Sequence, residues 1–383
     1  MNIYIIAGEA SGDAMGAKLM TEMRGVKFSG VGGLKMQELG LKSLFDYSEI
    51  ALMGFLEILP HIFRLRKLIQ DTASDIMAKK PDVLVTIDSP GFTYRVAKIV
   101  KKTCPDMKMV HMVAPSVWAY KPGRAVKYAA IYDHILTLLP FEPPYFEAVG
   151  LAATFIGHPV FEQKFGGGDA FRQRYGISPD AKVIVVTPGS RKGEIARHMP
   201  VFLGALDGAR EKYPELVVVF VCASLGLDAM ASEVLRDTRI KPEGGICVDN
   251  NERLEAYAAA DVALAKSGTN TLEIAASLTP MIVGYKLNFF TFWLVKLMAK
   301  IKYASLINII SGREVIPEFL QHKCTAQNLT AGLLKILDDP KIGQDQVAES
   351  MKALQEMGFG SKVSPSKEAA RVIGGVGACL PQA

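Results

Sequence analysis

Two short stretches bring a glycine turn, small hydroxyls and charge together at spacings that suit a nucleotide diphosphate. In TPGSRKGEI (187–195), Pro188 and Gly189 force a turn, and Ser190 and Arg191 stand where a helix begins. Unpaired N–H groups at a helix start, with a guanidinium beside them, bind pyrophosphate. The same residues would also make a plain helix start with a solvated arginine. The phosphate reading is favoured because turn and arginine follow directly on an apolar run, where α/β sheets gather their ligands. In AKSGTNTLEIAASL (265–278), Ser267, Gly268 and Thr269 offer hydroxyls and bare N–H groups to the same kind of ligand. Glu273, four residues after Thr269, shares its helix face and could accept hydrogen bonds from a ribose diol. Asn270-x-x-Glu273 equally reads as a capping box, and spacing alone does not separate the two.

Other loops carry weaker signals. TIDSPGF (86–92) puts Asp88 just past an apolar run, where a carboxylate could act as a general base. Beside Pro-Gly an aspartate more often makes an Asx-turn or N-cap, and the residues alone favour that use. MVAPSVWAYKPGR (112–124) joins Trp118 to Tyr120, Lys121 and Arg124, a set that suits a sugar ring or phosphate as well as it suits packing. His158, in IGHP, is a lone histidine of the sort that is usually structural. NIYIIAGEASGD (2–13) reads as a strand, a small turn and a helix, an anion loop without the G-x-G-x-x-G of a dinucleotide site. The sequence has no H-E-x-x-H, EF-hand loop, D-x-D pair, Walker A motif, C-x-x-C pair or G-x-S-x-G elbow. No metal and no cofactor are expected.

These loops need strands to hold them. Five short apolar runs mark the first half: Ile3–Ala7, Val83–Ile87, Met109–Val113, Ile135–Leu139 and Ala153–Ile156. Helical patterns lie between them, and alternating β and α predicts a parallel, doubly wound sheet. A second series follows: Val183–Thr187, Val217–Cys222, Ile246–Val248, Val262–Ala265 and Met281–Tyr285. Between the series, 163–182 contains three consecutive glycines in a polar run and reads as a linker. The predicted division is a domain at 1–162, the linker 163–182, a domain at 183–345, and a helical tail at 346–383. Two α/β domains also agree with 383 residues, too many for one ordinary core.

Composition narrows the class. The chain is 49% hydrophobic and 22% charged with a net charge of +5, which is globular and too mildly basic to imply nucleic acid. Five scattered cysteines and the lack of a signal-peptide pattern predict a cytoplasmic protein. Two apolar stretches are broken by cations, at 50–69 and 287–307. In the first, Leu52, Phe55, Leu56, Leu59, Ile62 and Phe63 recur at helical spacing, followed by Arg64, Arg66 and Lys67. That pattern favours contact with a membrane surface or acyl chains over a plain core helix. For 287–307 core and membrane stand even.

Taken in order, AGEASGD, IDSPGF, PSVWAY, GHP, PGSR, SGTNTLE and NIISGREVIPEFLQ resemble the lipid A disaccharide synthase family of bacterial glycosyltransferases. The motifs run from residue 7 to about 321, and seven in order are specific. The resemblance implies a GT-B fold, two Rossmann-like domains facing across a cleft, with the last helix returning to the first domain. It implies transfer from UDP-2,3-diacylglucosamine to 2,3-diacylglucosamine 1-phosphate (lipid X), with inversion and without a metal, at the inner-membrane phospholipid surface. It places the essential aspartate on Asp88, as base or orienting group, and the essential arginine on Arg191. Gly189, Ser190, Ser267, Gly268, Thr269 and Glu273 would hold the UDP-sugar. Glu9, Ser11, Gly12 and Asp13 would face the acceptor, with Trp118, His158, Asn308, Arg313, Glu314 and Gln321 as further substrate contacts. Gly91 and Tyr120 depart from the family pattern and bear only on those contacts. A UDP-N-acetylglucosamine 2-epimerase is the rival enzyme, and the two basic apolar stretches argue against it.

Overall fold

A computed structural model describes residues 1–51, 62–221, 245–287 and 302–378. Leu52, Phe55, Leu56, Leu59, the side chain of Ile62, Cys222 and residues 288–301 of the second apolar stretch lie outside the described residues. The chain divides into two compact units, Met1–Pro159 with Ser361 onward, and Val160–Gly360.

Unit 1 alternates β1 (Asn2–Ala7), α1 (Ala10–Glu22), β2 (Lys27–Val31), α2 (Leu34–Glu38), α3 (Ser48–Ala51), α4 (Ile62–Lys79), β3 (Val83–Ile87), α5 (Thr93–Thr103), β4 (Lys108–Met112), α6 (Arg124–Ala129), β5 (His134–Thr137), α7 (Pro143–Glu147) and β6 (Ala152–Phe155). The strands pair in parallel in the order β2-β1-β3-β4-β5-β6. All five residues of β3 are buried, because helices cover both faces of the sheet. Tyr4, Ile6 and Leu84 face Leu65 and Leu68 of α4 and Val96 and Val100 of α5. Ile3, Ile5, Val83 and Val85 face Met15 and Leu19 of α1 and Ala369, Val372 and Ile373 of the C-terminal helix Pro365–Ala378.

Unit 2 contains α8 (Gly168–Arg174), β7 (Val183–Thr187), α9 (Lys192–Lys212), β8 (Val217–Val221), β9 (Gly245–Val248), α10 (Arg253–Ala259), β10 (Val262–Ala265), α11 (Asn270–Ala276), β11 (Met281–Tyr285), α12 (Leu306–Ser311), β12 (Glu318–Leu320), α13 (Ala326–Asp338) and α14 (Pro340–Glu356). Its parallel sheet runs β12-β11-β10-β7-β8-β9. α13 starts on Thr325, whose side chain accepts from Asn328 N–H at 3.2 Å, and buries Leu329, Leu333 and Ile336 with Phe202 and Leu206 of α9.

Several expectations change. The run 163–182 is not a free linker. It holds α8, whose Phe171 is buried and whose Arg172 donates to Ala259 O at 2.9 Å and pairs with Asp261 at 3.0 Å. The glycines serve close packing there: a Cβ on Gly168 would meet Ala258 O at 2.3 Å. The tail divides later than 346, since α14 stays in unit 2, where Gln346 exchanges hydrogen bonds with both backbone groups of Met281. Two edge strands, β2 and β12, add to the apolar runs marked in the sequence. The described part of 50–69 also divides: Leu65, Leu68 and Ile69 are core, whereas Phe63 is 79% exposed. No helix among the described residues is long and apolar enough to cross a membrane.

Candidate active site

In a doubly wound sheet the ligand crevice opens at the carboxyl ends of the two strands where the strand order reverses. In unit 2 the reversal lies between β7 and β10, and in unit 1 between β1 and β3. The loops that follow these four strands are 188–191, 266–269, 8–9 and 88–92, which hold Gly189, Ser190, Arg191, Ser267, Gly268, Thr269, Glu9 and Asp88.

The unit 2 crevice is a cavity of about 350 Å³ lined by Gly189, Ser190, Arg191, Glu194, Lys266, Gly268, Thr269, Asn250, Arg253 and Glu273, among others. Asn270 Nδ2 donates to Thr187 Oγ1 at 2.7 Å and Lys266 N–H to Thr187 O at 2.9 Å, which ties the two loops together. Gly189 has φ +131°, and a Cβ on it would lie 2.7 Å from Glu194 Oε2, so only glycine fits. Arg191 is the N-cap of α9 with 81% of its side chain exposed, and its Nη1 lies 3.9 Å from Glu194. Thr269 is the N-cap of α11 and makes no side-chain cap bond. Ser267 points elsewhere, donating to Ala304 O at 2.8 Å.

Sequence reading missed four residues here. Glu194 folds back over the first loop, accepting from Ser190 N–H at 3.2 Å and pairing with Lys266 at 3.2 Å. Burial pushes its carboxyl up, but Lys266 and the Ser190 N–H outweigh that and hold it below its ordinary value. Its place three residues after the N-cap was the available signal. Arg253 and Gln163 meet Glu273: Arg253 Nε and Nη2 reach the two carboxylate oxygens at 3.1 and 2.8 Å, and Gln163 Nε2 reaches Oε1 at 2.9 Å. The capping-box reading of Glu273 is therefore corrected, because its carboxylate faces an arginine from another helix.

In unit 1, Asp88 and Ser89 adopt left-handed conformations, φ +48° and +47°, at the end of β3. α5 is capped without a side chain, so Asp88 is not its N-cap. Thr93 Oγ1 holds the strained turn, donating to Asp88 O at 2.7 Å and Ser89 O at 3.0 Å. Burial pushes the Asp88 carboxyl up, partly offset by the Ser89 N–H. A Cβ on Gly8 would meet Ser89 Oγ at 2.6 Å, so glycine lets the first loop close onto this turn. Glu9 and Ser11 are exposed at the start of α1, while Gly12 is buried against Ala7 and Ile87.

Several other expected contact residues are bonded within the fold. Asp13 is buried and accepts from the N–H groups of Gly33, Lys35 and Met36 at 2.8, 3.0 and 3.1 Å, which caps α2 instead of facing a ligand. Asn308 is fully buried and saturated: Nδ2 serves Ile316 O and Glu318, and Oδ1 accepts from Val315 and Ile316 N–H. Trp118 Nε1 donates to Glu142 at 3.0 Å, and burial pushes that carboxyl up to about 7 against bonds from Trp118, Leu139 and Leu138. His158 is buried, which pushes its imidazole down to about 4. Arg313 pairs with Glu349, Glu314 accepts from Glu318 N–H at 3.2 Å, and Gln321 stands at φ +54° after β12.

Solved structures share this architecture. A UDP-GlcNAc 2-epimerase from Neisseria meningitidis bound to UDP-GlcNAc aligns with TM-score 0.65 at 11% identity, covering 97% of this chain and 99% of that one. A spinosyn rhamnosyltransferase complexed with thymidine diphosphate aligns with TM-score 0.58 at 11% identity, again over 97% and 99%. The fold is thus the two-domain α/β fold of GT-B glycosyltransferases and sugar-nucleotide epimerases. Residues 3–372 match the family model for lipid-A-disaccharide synthetase. The lipid-A-disaccharide synthase of Rickettsia bellii is 51% identical over 377 residues, 97% of this chain and 98% of that protein. That of Rickettsia prowazekii is 48% identical over 376 residues, 97% and 98%. The chain belongs to the lipid-A-disaccharide synthetase family and is a glycosyltransferase.

Proposed function

We propose that the chain transfers the sugar of UDP-2,3-diacylglucosamine to the 6-hydroxyl of 2,3-diacylglucosamine 1-phosphate. The bond from C1 to the UDP oxygen breaks, the C1–O6 bond forms with inversion, and the O6 proton goes to Asp88. The products are the β-1,6-linked tetraacyl disaccharide 1-phosphate and UDP. The observation that carries this reading is the convergence of Gly189, Ser190, Arg191, Gly268, Thr269 and Glu273 on one cavity at the unit 2 switch point. There Arg191 and the helix-start N–H groups neutralise the leaving diphosphate, and no metal is needed. Glu273 takes the ribose. Asp88, at the other switch point, has a carboxyl raised by burial, which brings a base nearer the working pH. Ser11 and the helix-start N–H groups of α1 take the acceptor phosphate, and Glu9 beside them faces the acceptor sugar.

The enzyme works as a peripheral protein on an anionic phospholipid surface. Phe63 supports this, being exposed on α4 among exposed Arg64, Arg66 and Lys67. The test is product formation from the two lipids in detergent micelles with EDTA present. Equal amounts of tetraacyl disaccharide phosphate and UDP are expected. No product, with or without added metal, would overturn the proposal and make 2-epimerisation of a UDP-sugar the next assay.

A further inference from the structure

One end of the unit 2 cavity is organised by one guanidinium. Arg253 is 17% exposed and Glu273 12%. Arg253 Nε and Nη2 grip the Glu273 carboxylate side-on, Nη2 also donates to Gln163 Oε1, and Nη1 donates to Asn250 O at 2.5 Å. Gln163 is itself anchored, its Nε2 donating to Val160 O at 3.1 Å as well as to Glu273 Oε1. Arg253 thus joins three segments far apart in sequence: the start of unit 2, the turn after β9, and α11. Asn250, Arg253 and Glu273 all line the cavity.

A carboxylate has about four acceptor positions. Among the described residues three are used: two on Oε1, by Arg253 and Gln163, and one on Oε2, by Arg253. The open position is on Oε2, and the planar arginine fork fixes where it points. A lysine in place of Arg253 would keep the charge and lose that direction.

We infer that Arg253, braced by Gln163, is a positioning residue that aims Glu273 at a ribose hydroxyl and so makes the site selective for ribonucleotides. This rests on the reading of Glu273 given above. A hydroxyl lost from the ligand leaves the aimed carboxylate position unmet, and that is the source of selectivity.

The experiment is calorimetric binding of UDP, 2′-deoxy-UDP, 3′-deoxy-UDP and inorganic pyrophosphate to the full chain and to Arg253→Lys and Gln163→Met. The unmodified chain is expected to bind at least one deoxy analogue about tenfold more weakly than UDP. Arg253→Lys is expected to lower UDP affinity about tenfold and to shrink the deoxy penalty to about twofold, with pyrophosphate affinity unchanged. Gln163→Met is expected to reduce the penalty part of the way. A full penalty retained in Arg253→Lys overturns the inference; should that variant not fold, a full penalty retained in Gln163→Met does so. Equal binding of all three nucleotides by the unmodified chain would instead remove Glu273 as the ribose contact, and the inference with it.

Discussion

The two switch points carry similar residues and use them differently. In unit 2, charged and small polar groups from loops 188–191 and 266–269 and from α10 and α11 line one cavity, with Arg191 mostly exposed over it. In unit 1, the equivalent polar residues are largely turned to the fold. Asp13 caps α2, Trp118 and Glu142 bond to each other in the loops after β4 and β5, and Asp88 sits in a strained turn held by Thr93 Oγ1, its own carboxyl not used for capping. Position at a strand's carboxyl end therefore nominates a residue, and whether its side chain lines a cavity or is turned into the fold decides between chemistry and architecture.

If that contrast is right, substitutions should separate turnover from stability. The largest effect belongs to Asp88→Asn, which should lower turnover by about 10²–10⁴-fold and leave the melting temperature unchanged or higher. Near-normal turnover would remove Asp88 as the base. The acid limb of the rate profile tests it again: burial raises this carboxyl, so activity should be lost with falling pH earlier than an ordinary aspartate would dictate. Arg191→Ala should cost about 10²–10³-fold in turnover and weaken UDP binding, with no stability change, since its side chain is exposed. An unchanged rate and UDP affinity would break the unit 2 side of the contrast.

The unit 1 residues should behave in the opposite way. The folded Glu142 carboxyl stands at about 7, above its ordinary 4.5. A raised folded value means the native state keeps its proton longer. The stability this contributes is whole below about pH 4.5 and is lost as pH rises through about 7, by up to about 3 kcal/mol. Glu142→Gln should flatten that slope in denaturant titrations at pH 5 and pH 8; an unaltered slope would place its cause elsewhere. Asp13→Ala removes three charge-assisted bonds to α2 and should destabilise by about 2–3 kcal/mol, with turnover per folded molecule little changed. A large kinetic loss without a stability loss would return Asp13 to the acceptor site.

What was legible follows from locality. β3 and β7 are apolar but for one threonine each, and all five residues of each are buried. β2 (KFSGV) and β12 (EFL) are edge strands, short and partly polar, and carry no such signal. The glycine run near 167 looked like a linker because sequence does not show that Gly168 must pass a neighbouring backbone carbonyl. The loops after β7 and β10 were visible as a turn followed by a helix start. Arg253 and Gln163 were not, because their partners lie 20 to 110 residues away. Asn308 was visible as part of a motif, but its saturation by Ile316, Val315 and Glu318 appears only once the chain has turned back on itself.

The smallest effect concerns α4, where the contrast between fold and function runs across a single helix. Leu65, Leu68, Ile69, Thr72, Ala73 and Ile76 repeat at helical spacing and are buried. Phe63, Arg66, Lys67 and Gln70 fall on the opposite face and are exposed. An aromatic placed among cations on the outer face has no core to fill, and it suits the boundary between phospholipid headgroups and acyl chains. Phe63→Ser should lower binding to vesicles containing anionic lipid by about three- to tenfold, roughly 1 kcal/mol, with the melting temperature unchanged. Raised salt should weaken binding of both proteins through the Arg66 and Lys67 face. Leu65→Ser, on the buried face of the same helix, should lower stability instead. If Phe63→Ser leaves the bound fraction as it was, contact with the membrane is made by another surface, and this face of α4 is only a solvated one.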